Sequence, residues 1–114
     1  MSIRLFTEPA EAEIKFKQSM FPVGENYVKI EDVLRFELYK ELTIEWVFNG
    51  DAEFLQLALL VNAIRNLNKN AKINLDVPYF PAGRQDRVCE PGEAFNLKVY
   101  ANLINSLGFE KVTV

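Results

Sequence analysis

The densest chemistry in the sequence lies at Arg84-Gln85-Asp86-Arg87, which follows Gly83 just after the run Val77-Pro78-Tyr79-Phe80. Each guanidinium presents a planar fork of N–H donors that matches phosphate oxygens, and Gln85 can read a base or ribose edge. The same four residues also suit a solvated surface loop in which arginine–aspartate pairs contribute little. Residue types alone leave both readings open, a cradle for a polyanion and a plain polar loop.

Other groups point less sharply. Phe21-Pro22-Val23-Gly24-Glu25 reads as a turn between two strands, with Gly24 in the left-handed position. The alternative makes Phe21 a stacking platform for a planar ring and Glu25 a hydrogen-bond acceptor. Glu90 and Glu93 are first-turn acids that favour a helix dipole, and as metal ligands they lack a third partner. Cys89 lies near arginine and close to a helix start, which favours its thiolate, yet no histidine exists to pair with it. The absence of histidine removes imidazole general bases and histidine-ligated metals.

The elements that must position these groups follow from periodicity. Ile3–Phe6 predicts a first strand; alternation at Ile14, Phe16 and Met20 predicts a second, and Tyr27, Val28 and Ile30 a third beyond the Pro22/Gly24 break. Residues 43–48, with β-branched and aromatic side chains, predict a fourth. Asn49-Gly50-Asp51 punctuates, with Asp51 as N-cap, and apolar residues at 54, 57, 58, 61 and 64 form a helical stripe over Glu53–Leu67. Ala71–Phe80 reads as a strand that is apolar on both faces, hence central and covered by helices. A second helix is expected over 93–107, with Leu97, Tyr100, Ala101 and Ile104 on one face and Gly108 as its C′ residue, before a last strand in 110–114. Trp46 and the nine phenylalanines are expected in the core.

Strand–helix–strand–helix–strand implies parallel pairing with right-handed crossovers, so the fold class is α/β with an open, mixed, largely parallel sheet flanked by helices. Ligands of such sheets collect beyond the carboxyl ends of the strands, where the arginine segment falls. An apolar last strand with no closing helix implies an uncovered sheet edge or face.

The totals bound the function. The 114 residues suffice for one domain, 49% hydrophobic and 25% charged. A net charge of −3 gives no long-range attraction to nucleic acid or acidic membrane, and neither is expected as a partner. The apolar stretch 54–64 is too short to span a bilayer, and Arg4, Thr7 and Glu8 interrupt any secretory signal. One cysteine cannot form an intramolecular disulfide, which fits a reducing cytoplasm.

Three matches carry a family resemblance: Pro78-Tyr79-Phe80 at a strand end, Gly83-Arg84-Gln85-Asp86-Arg87 after it, and the helix segment Leu97-Lys98-Val99-Tyr100-Ala101-Asn102. Together with the Phe21–Glu25 turn and the helix 59–73 stretch, they resemble the N-terminal domain of the ribose-phosphate pyrophosphokinases. The likeness is strongest over 53–114. It implies a phosphoribosyltransferase-like α/β fold and an enzyme that transfers diphosphate from ATP to the C1 hydroxyl of ribose 5-phosphate with Mg²⁺. It implies that Arg84 and Gln85 contact ATP, Arg84 through phosphate oxygens, with Asp86 and Arg87 shaping the loop. Phe21 and Glu25 match positions that reach the adenine of a neighbouring subunit's ATP, which implies a homo-oligomer. The family has a helix after the first strand, for which 7–13 is too short.

By the same resemblance, residues 1–114 are expected to be an N-terminal domain ending before the metal-binding segment and the C-terminal domain. The isolated chain is therefore expected not to turn over, and the Mg²⁺ ligands to lie beyond Val114. Two alternatives stand beside this reading: a non-catalytic partner of a synthetase with the same fold, and a generic flavodoxin-like domain whose arginine segment is only surface.

Overall fold

The structure, a computed structural model, describes residues 3–50, 52–78, 91–92 and 96–114. Its elements in chain order are β1 (Ile3–Thr7), β2 (Glu13–Ile14), β3 (Phe16–Met20), β4 (Asn26–Ile30), a 3-10 turn (Phe36–Leu38), β5 (Glu41–Trp46), α1 (Ala52–Leu67), β6 (Lys72–Asp76), α2 (Asn96–Ser106) and β7 (Lys111–Thr113). Five strands form one sheet in the order β2-β1-β5-β6-β7, and β3 and β4 pair separately as a hairpin. β1 is antiparallel to β2 and β5, whereas β5, β6 and β7 run parallel. This is the open, mixed α/β sheet expected.

Alternation assigns the faces. In β5, Leu42, Ile44 and Trp46 are buried while Glu41, Thr43 and Glu45 are not. Parallel register sets Leu42 beside Ile73 and Ile44 beside Leu75, so the buried residues of β5 and β6 form one continuous patch. Ile3 and Leu5 of β1 extend it. Against this patch α1 lays Leu57, Leu60, Val61 and Ile64, at the spacing of one helical face, and α2 adds Ile104. Burying a side chain of this size stabilises by roughly 1.5–3 kcal/mol.

Crossovers that advance in one direction across a sheet with one hand put their helices on the same face. Contacts between α1 and α2 agree. Arg65 near the end of α1 donates to the carbonyls of Leu107 and Gly108 at 2.6 and 2.8 Å, and the Phe54 and Tyr100 rings meet at 5.9 Å. Gly108 takes φ +73°, and a β-carbon there would lie 3.3 Å from the Arg65 guanidinium. Glycine thus permits both the helix stop and the arginine clamp.

Three expectations need adjusting. β6 is central, but it is not apolar on both faces: it ends at Asp76, and Lys72, Asn74 and Asp76 point away from the buried patch. The alternating run 13–20 is divided at Lys15, its first two residues pairing with β1 and the rest with β4. The phenylalanines are not uniformly core, since Phe36 is fully buried whereas Phe21 is 47% exposed. Segment 7–13 is a tight reversal, with Thr7 and Ala12 bonded backbone to backbone at 2.9 Å and through the Thr7 hydroxyl at 3.2 Å. Among the described residues, no helix is long and apolar enough to cross a membrane.

One buried amide ties the far end of α1 to the chain preceding β5. Asn68, 8% exposed, donates from Nδ2 to the carbonyls of Phe36 and Tyr39 and accepts from the Asn70 N–H. Replacing it strands two carbonyls, at a cost of about 1–3 kcal/mol. Asn68→Ala is therefore expected to lower the unfolding free energy by that amount in urea titration, with Asn68→Asp no better, because a carboxylate cannot donate.

Candidate functional site

The edge at which the parallel strands finish is where a ligand crevice is expected. Glu45 and Asp76 are register partners, so the chain leaving β5 and the chain leaving β6 depart side by side. Val77 stays anchored, its N–H donating to the Thr113 carbonyl at 2.8 Å. The proposed contact residues Arg84, Gln85, Asp86 and Arg87 come next in the chain and lie outside the described residues, as do Cys89, Glu90, Glu93 and Asp51.

Beside this departure point the turn from β5 to α1 is held by one carboxylate. Glu53 Oε1 accepts from the Trp46 indole N–H at 3.3 Å and from the Asn49 backbone N–H at 2.9 Å, and the Glu53 N–H donates to Gly50 at 3.2 Å. Trp46 is fully buried, so Glu53 satisfies a donor that water cannot reach. Four rings close a circuit here: Trp46 to Phe48 at 5.5 Å, Phe48 to Tyr100 at 6.2 Å, Tyr100 to Phe54 at 5.9 Å, and Phe54 to Trp46 at 6.4 Å. β5, the turn, α1 and α2 contribute one ring each. Sequence reading put Trp46 in the core but missed Glu53, although a glutamate three residues after Gly50 has the spacing by which a first-turn acid reaches back to the turn's N–H groups.

Phe21 and Glu25 occupy the tip of the β3–β4 hairpin. The Phe21 N–H donates to the Glu25 carbonyl, and the Gly24 N–H to the Phe21 carbonyl, both at 2.8 Å. Gly24 has φ +92°, the left-handed turn position that was expected. Both side chains are exposed; the Phe21 ring leans on Tyr27 at 5.4 Å. Gln56 in α1 donates to Asn26 at 3.2 Å, which fixes the base of the tip beside the first half of that helix, whose start is at the strand-end edge. The base of the tip therefore lies near that edge, and the apolar members of the tip, Met20, Phe21 and Val23, are in solvent.

The sheet's second face has a different character. A concavity of about 210 Å³ is lined by Phe6, Glu8, Glu11, Thr43, Glu45 and Asp76. Glu8 accepts from the Thr43 hydroxyl at 3.1 Å, and Asn74 donates to Glu41 at 2.7 Å. Arg4 lies 3.7 Å from Glu45 and 3.5 Å from Glu13. Hydrogen bonds from Arg4 and then Lys15 hold the Glu13 carboxyl below the usual carboxylate range. Of these acids, Asp76 falls in the run 71–80 that reads as apolar on both faces, and the others carry no spacing that singles them out in the sequence. Among the described residues no group of three or more histidine, cysteine, aspartate or glutamate side chains is placed to hold a metal ion.

Comparison with known proteins places this geometry in context. A family model described as the N-terminal domain of ribose phosphate pyrophosphokinase matches residues 12–108. Ribose-phosphate pyrophosphokinase from Methanosarcina acetivorans is 33% identical over 102 residues, covering 90% of this chain and 32% of the relative. The enzyme of that name from Saccharolobus solfataricus is 28% identical over 102 residues, 89% of this chain and 34% of the relative. The chain thus spans about a third of the length of these relatives. A crystal structure of phosphoribosylpyrophosphate synthetase from Mycobacterium smegmatis superposes with a TM-score of 0.70 at 17% identity, over 92% of this chain and 35% of that one. That likeness is one of fold.

The exposure of the hairpin tip has a consequence for stability. Phe21→Ala removes a half-solvated ring and one ring contact, so the unfolding free energy is expected to change by less than about 1 kcal/mol. Urea titration of the two proteins checks this.

Proposed function

The chain belongs to the ribose-phosphate pyrophosphokinase family as its N-terminal domain, and on that premise we propose that it supplies half of an ATP site in an enzyme that makes phosphoribosyl pyrophosphate. The C1 hydroxyl of ribose 5-phosphate attacks the β-phosphorus of ATP, the bond to the α-phosphate oxygen breaks, and AMP leaves. Arg84 binds phosphate oxygens through its guanidinium fork, Gln85 contacts the nucleotide, and Asp86 and Arg87 shape the loop. Phe21 and Glu25 reach the adenine of a neighbouring subunit's ATP, so the working form is a homo-oligomer. Residues 1–114 act as an N-terminal domain, and the rest of the ribose-phosphate and metal sites is supplied by sequence outside them.

The observation that carries this reading is that the matched range, 12–108, contains both the Phe21–Glu25 tip and the Arg84–Arg87 segment. Two further features support it. The segment follows β6 in the chain, and β6 ends at the edge where the parallel strands finish; the base of the tip is bonded to the first half of α1, which starts at that edge. The chemistry also suits a chain without histidine. Phosphoryl-type transfer depends on positioning and on neutralising charge, more than on acid–base groups.

Magnesium is part of the proposed reaction. The described residues do not fit it, since no three of their acids are placed together to hold a metal ion. No step is assigned to the metal here.

Calorimetric titration with ATP tests the site. The wild-type chain is expected to release heat that Arg84→Ala abolishes; equal heats from the two proteins would remove the arginine from the site. A polypeptide of these 114 residues incubated with ATP, Mg²⁺ and ribose 5-phosphate is expected to form no phosphoribosyl pyrophosphate above blank, and product above blank would show the domain to be catalytic alone.

A further inference from the structure

The outer face of the β3–β4 hairpin carries charges that the fold leaves uncompensated. Register pairs Phe16 with Ile30 and Gln18 with Val28, and Phe16, Val28 and Ile30 pack toward the core. Strand alternation therefore turns the pairs Lys17–Lys29 and Ser19–Tyr27 to the opposite face. Lys17 and Lys29 are both exposed and stand directly across from each other, a placement of like charges that costs stability. Elsewhere Arg4 reaches Glu13 and Glu45, and Lys15 lies 3.2 Å from Glu13. Among the described residues neither Lys17 nor Lys29 has an ion-pair partner. The two lysines, with Tyr27 and Glu31, line a concavity of about 340 Å³. Half-buried Tyr27 is its aromatic wall; Phe21 leans on that ring at 5.4 Å but does not line the concavity.

We propose that this face is a nucleoside monophosphate site, in which the phosphate bridges Lys17 and Lys29 and the base stacks on Tyr27. A phosphate set between the two ammonium groups turns their repulsion into a pair of charge-assisted hydrogen bonds. Tyr27 and Lys29 are two residues apart on one strand, about 7 Å at the rise of an extended chain, and a ribose spans that separation. An aromatic face accepts any base by stacking, so the ring selects for a base without choosing which one. Glu31 limits the ligand. It follows β4 on the far side of the lysines from Tyr27, so further phosphates would run from the lysines toward its carboxylate. A monophosphate is therefore favoured over a triphosphate. The site uses neither Phe21 and Glu25 nor Arg84, and it goes beyond the ATP contacts proposed above.

NMR titration of the isotope-labelled 114-residue chain tests the site, in an Arg84→Ala background that removes the proposed ATP contact. The probes are AMP, ATP, adenosine and inorganic phosphate. With AMP, backbone amide shifts are expected at positions 17, 27 and 29. AMP is expected to bind about tenfold more tightly than adenosine or inorganic phosphate, each of which supplies only one half of the recognition. Lys17→Ala and Lys29→Ala, at exposed positions where the fold tolerates change, are each expected to weaken AMP binding by about tenfold. Lys15→Ala removes an exposed lysine already paired with Glu13 and is expected to alter AMP binding by less than about twofold. Tyr27→Leu is expected to bring AMP down to the affinity of inorganic phosphate, and Glu31→Gln to raise ATP toward the affinity of AMP. Absence of AMP shifts at 17, 27 and 29, or equal affinity for AMP and inorganic phosphate, overturns the proposal. So does an equal loss in Lys15→Ala, which would reduce the effect to diffuse attraction by any surface lysine. Tighter binding of ATP than of AMP at these amides overturns the choice of monophosphate. Because Arg84 is replaced throughout, none of these failures touches the proposed ATP contact, which the calorimetry above decides separately.

Discussion

Parallel pairing of β5 with β6, and of β6 with β7, is the constraint from which the rest of the architecture follows. Parallel neighbours cannot be joined by a tight turn, so each pair demands a helical crossover. With both crossovers advancing the same way, α1 and α2 share one face, and every parallel strand finishes at the same edge. The apolar side chains must then gather on that face alone, as Leu42, Ile44, Ile73 and Leu75 do, and the other face is left to Arg4, Glu41, Thr43, Glu45, Asn74 and Asp76. A single sheet register separates a packed half from a solvated half. It also delivers the β5–α1 turn and the chain beyond β6 to adjacent positions.

Most of the elements were legible because their periodicity is local. The stripe 54, 57, 58, 61 and 64 places α1 within a residue of its observed start, and Gly24 and Gly108 marked turns whose φ values only glycine adopts easily. The misreadings came where a local pattern meets a tertiary choice. Ile14, Phe16 and Met20 keep one alternating phase, and nothing in that phase says that Lys15 marks a change of partner from β1 to β4. Residues 71–80 read as doubly apolar because Val77, Pro78, Tyr79 and Phe80 were counted with the strand, which ends at Asp76. Glu53 was invisible for another reason: its importance depends on the Trp46 indole seven residues earlier, a pairing set by packing. Of the site residues read from the sequence, Arg84–Arg87 lie outside the described residues, and Phe21 and Glu25 belong to the hairpin tip. That tip has the turn geometry expected.

Charge adds a spatial argument that the net value of −3 conceals. Glu8, Glu11, Glu45 and Asp76 surround one concavity of the second face, and Arg4 lies 3.7 Å from Glu45. A polyanion is repelled from that face over distances within the screening length of about 8 Å at physiological salt. The helices pack on the opposite face, so the sheet separates a solvated side rich in acids from the apolar core.

The stability of the hairpin does not depend on the side chains of its tip. A two-stranded sheet is marginal alone, yet β3 and β4 are secured by Ile30 in the core, by Phe16 and Val28 packed against it, and by the Gln56–Asn26 bond to α1. All of these lie below the tip. The turn itself closes with backbone bonds between Phe21, Gly24 and Glu25, so the side chains of Met20, Phe21, Val23 and Glu25 are not needed to hold it. Exposed apolar residues on a turn that folds without them are free to meet a surface outside the chain. Phe21, 47% exposed and leaning on Tyr27, stands on a firmly rooted arm.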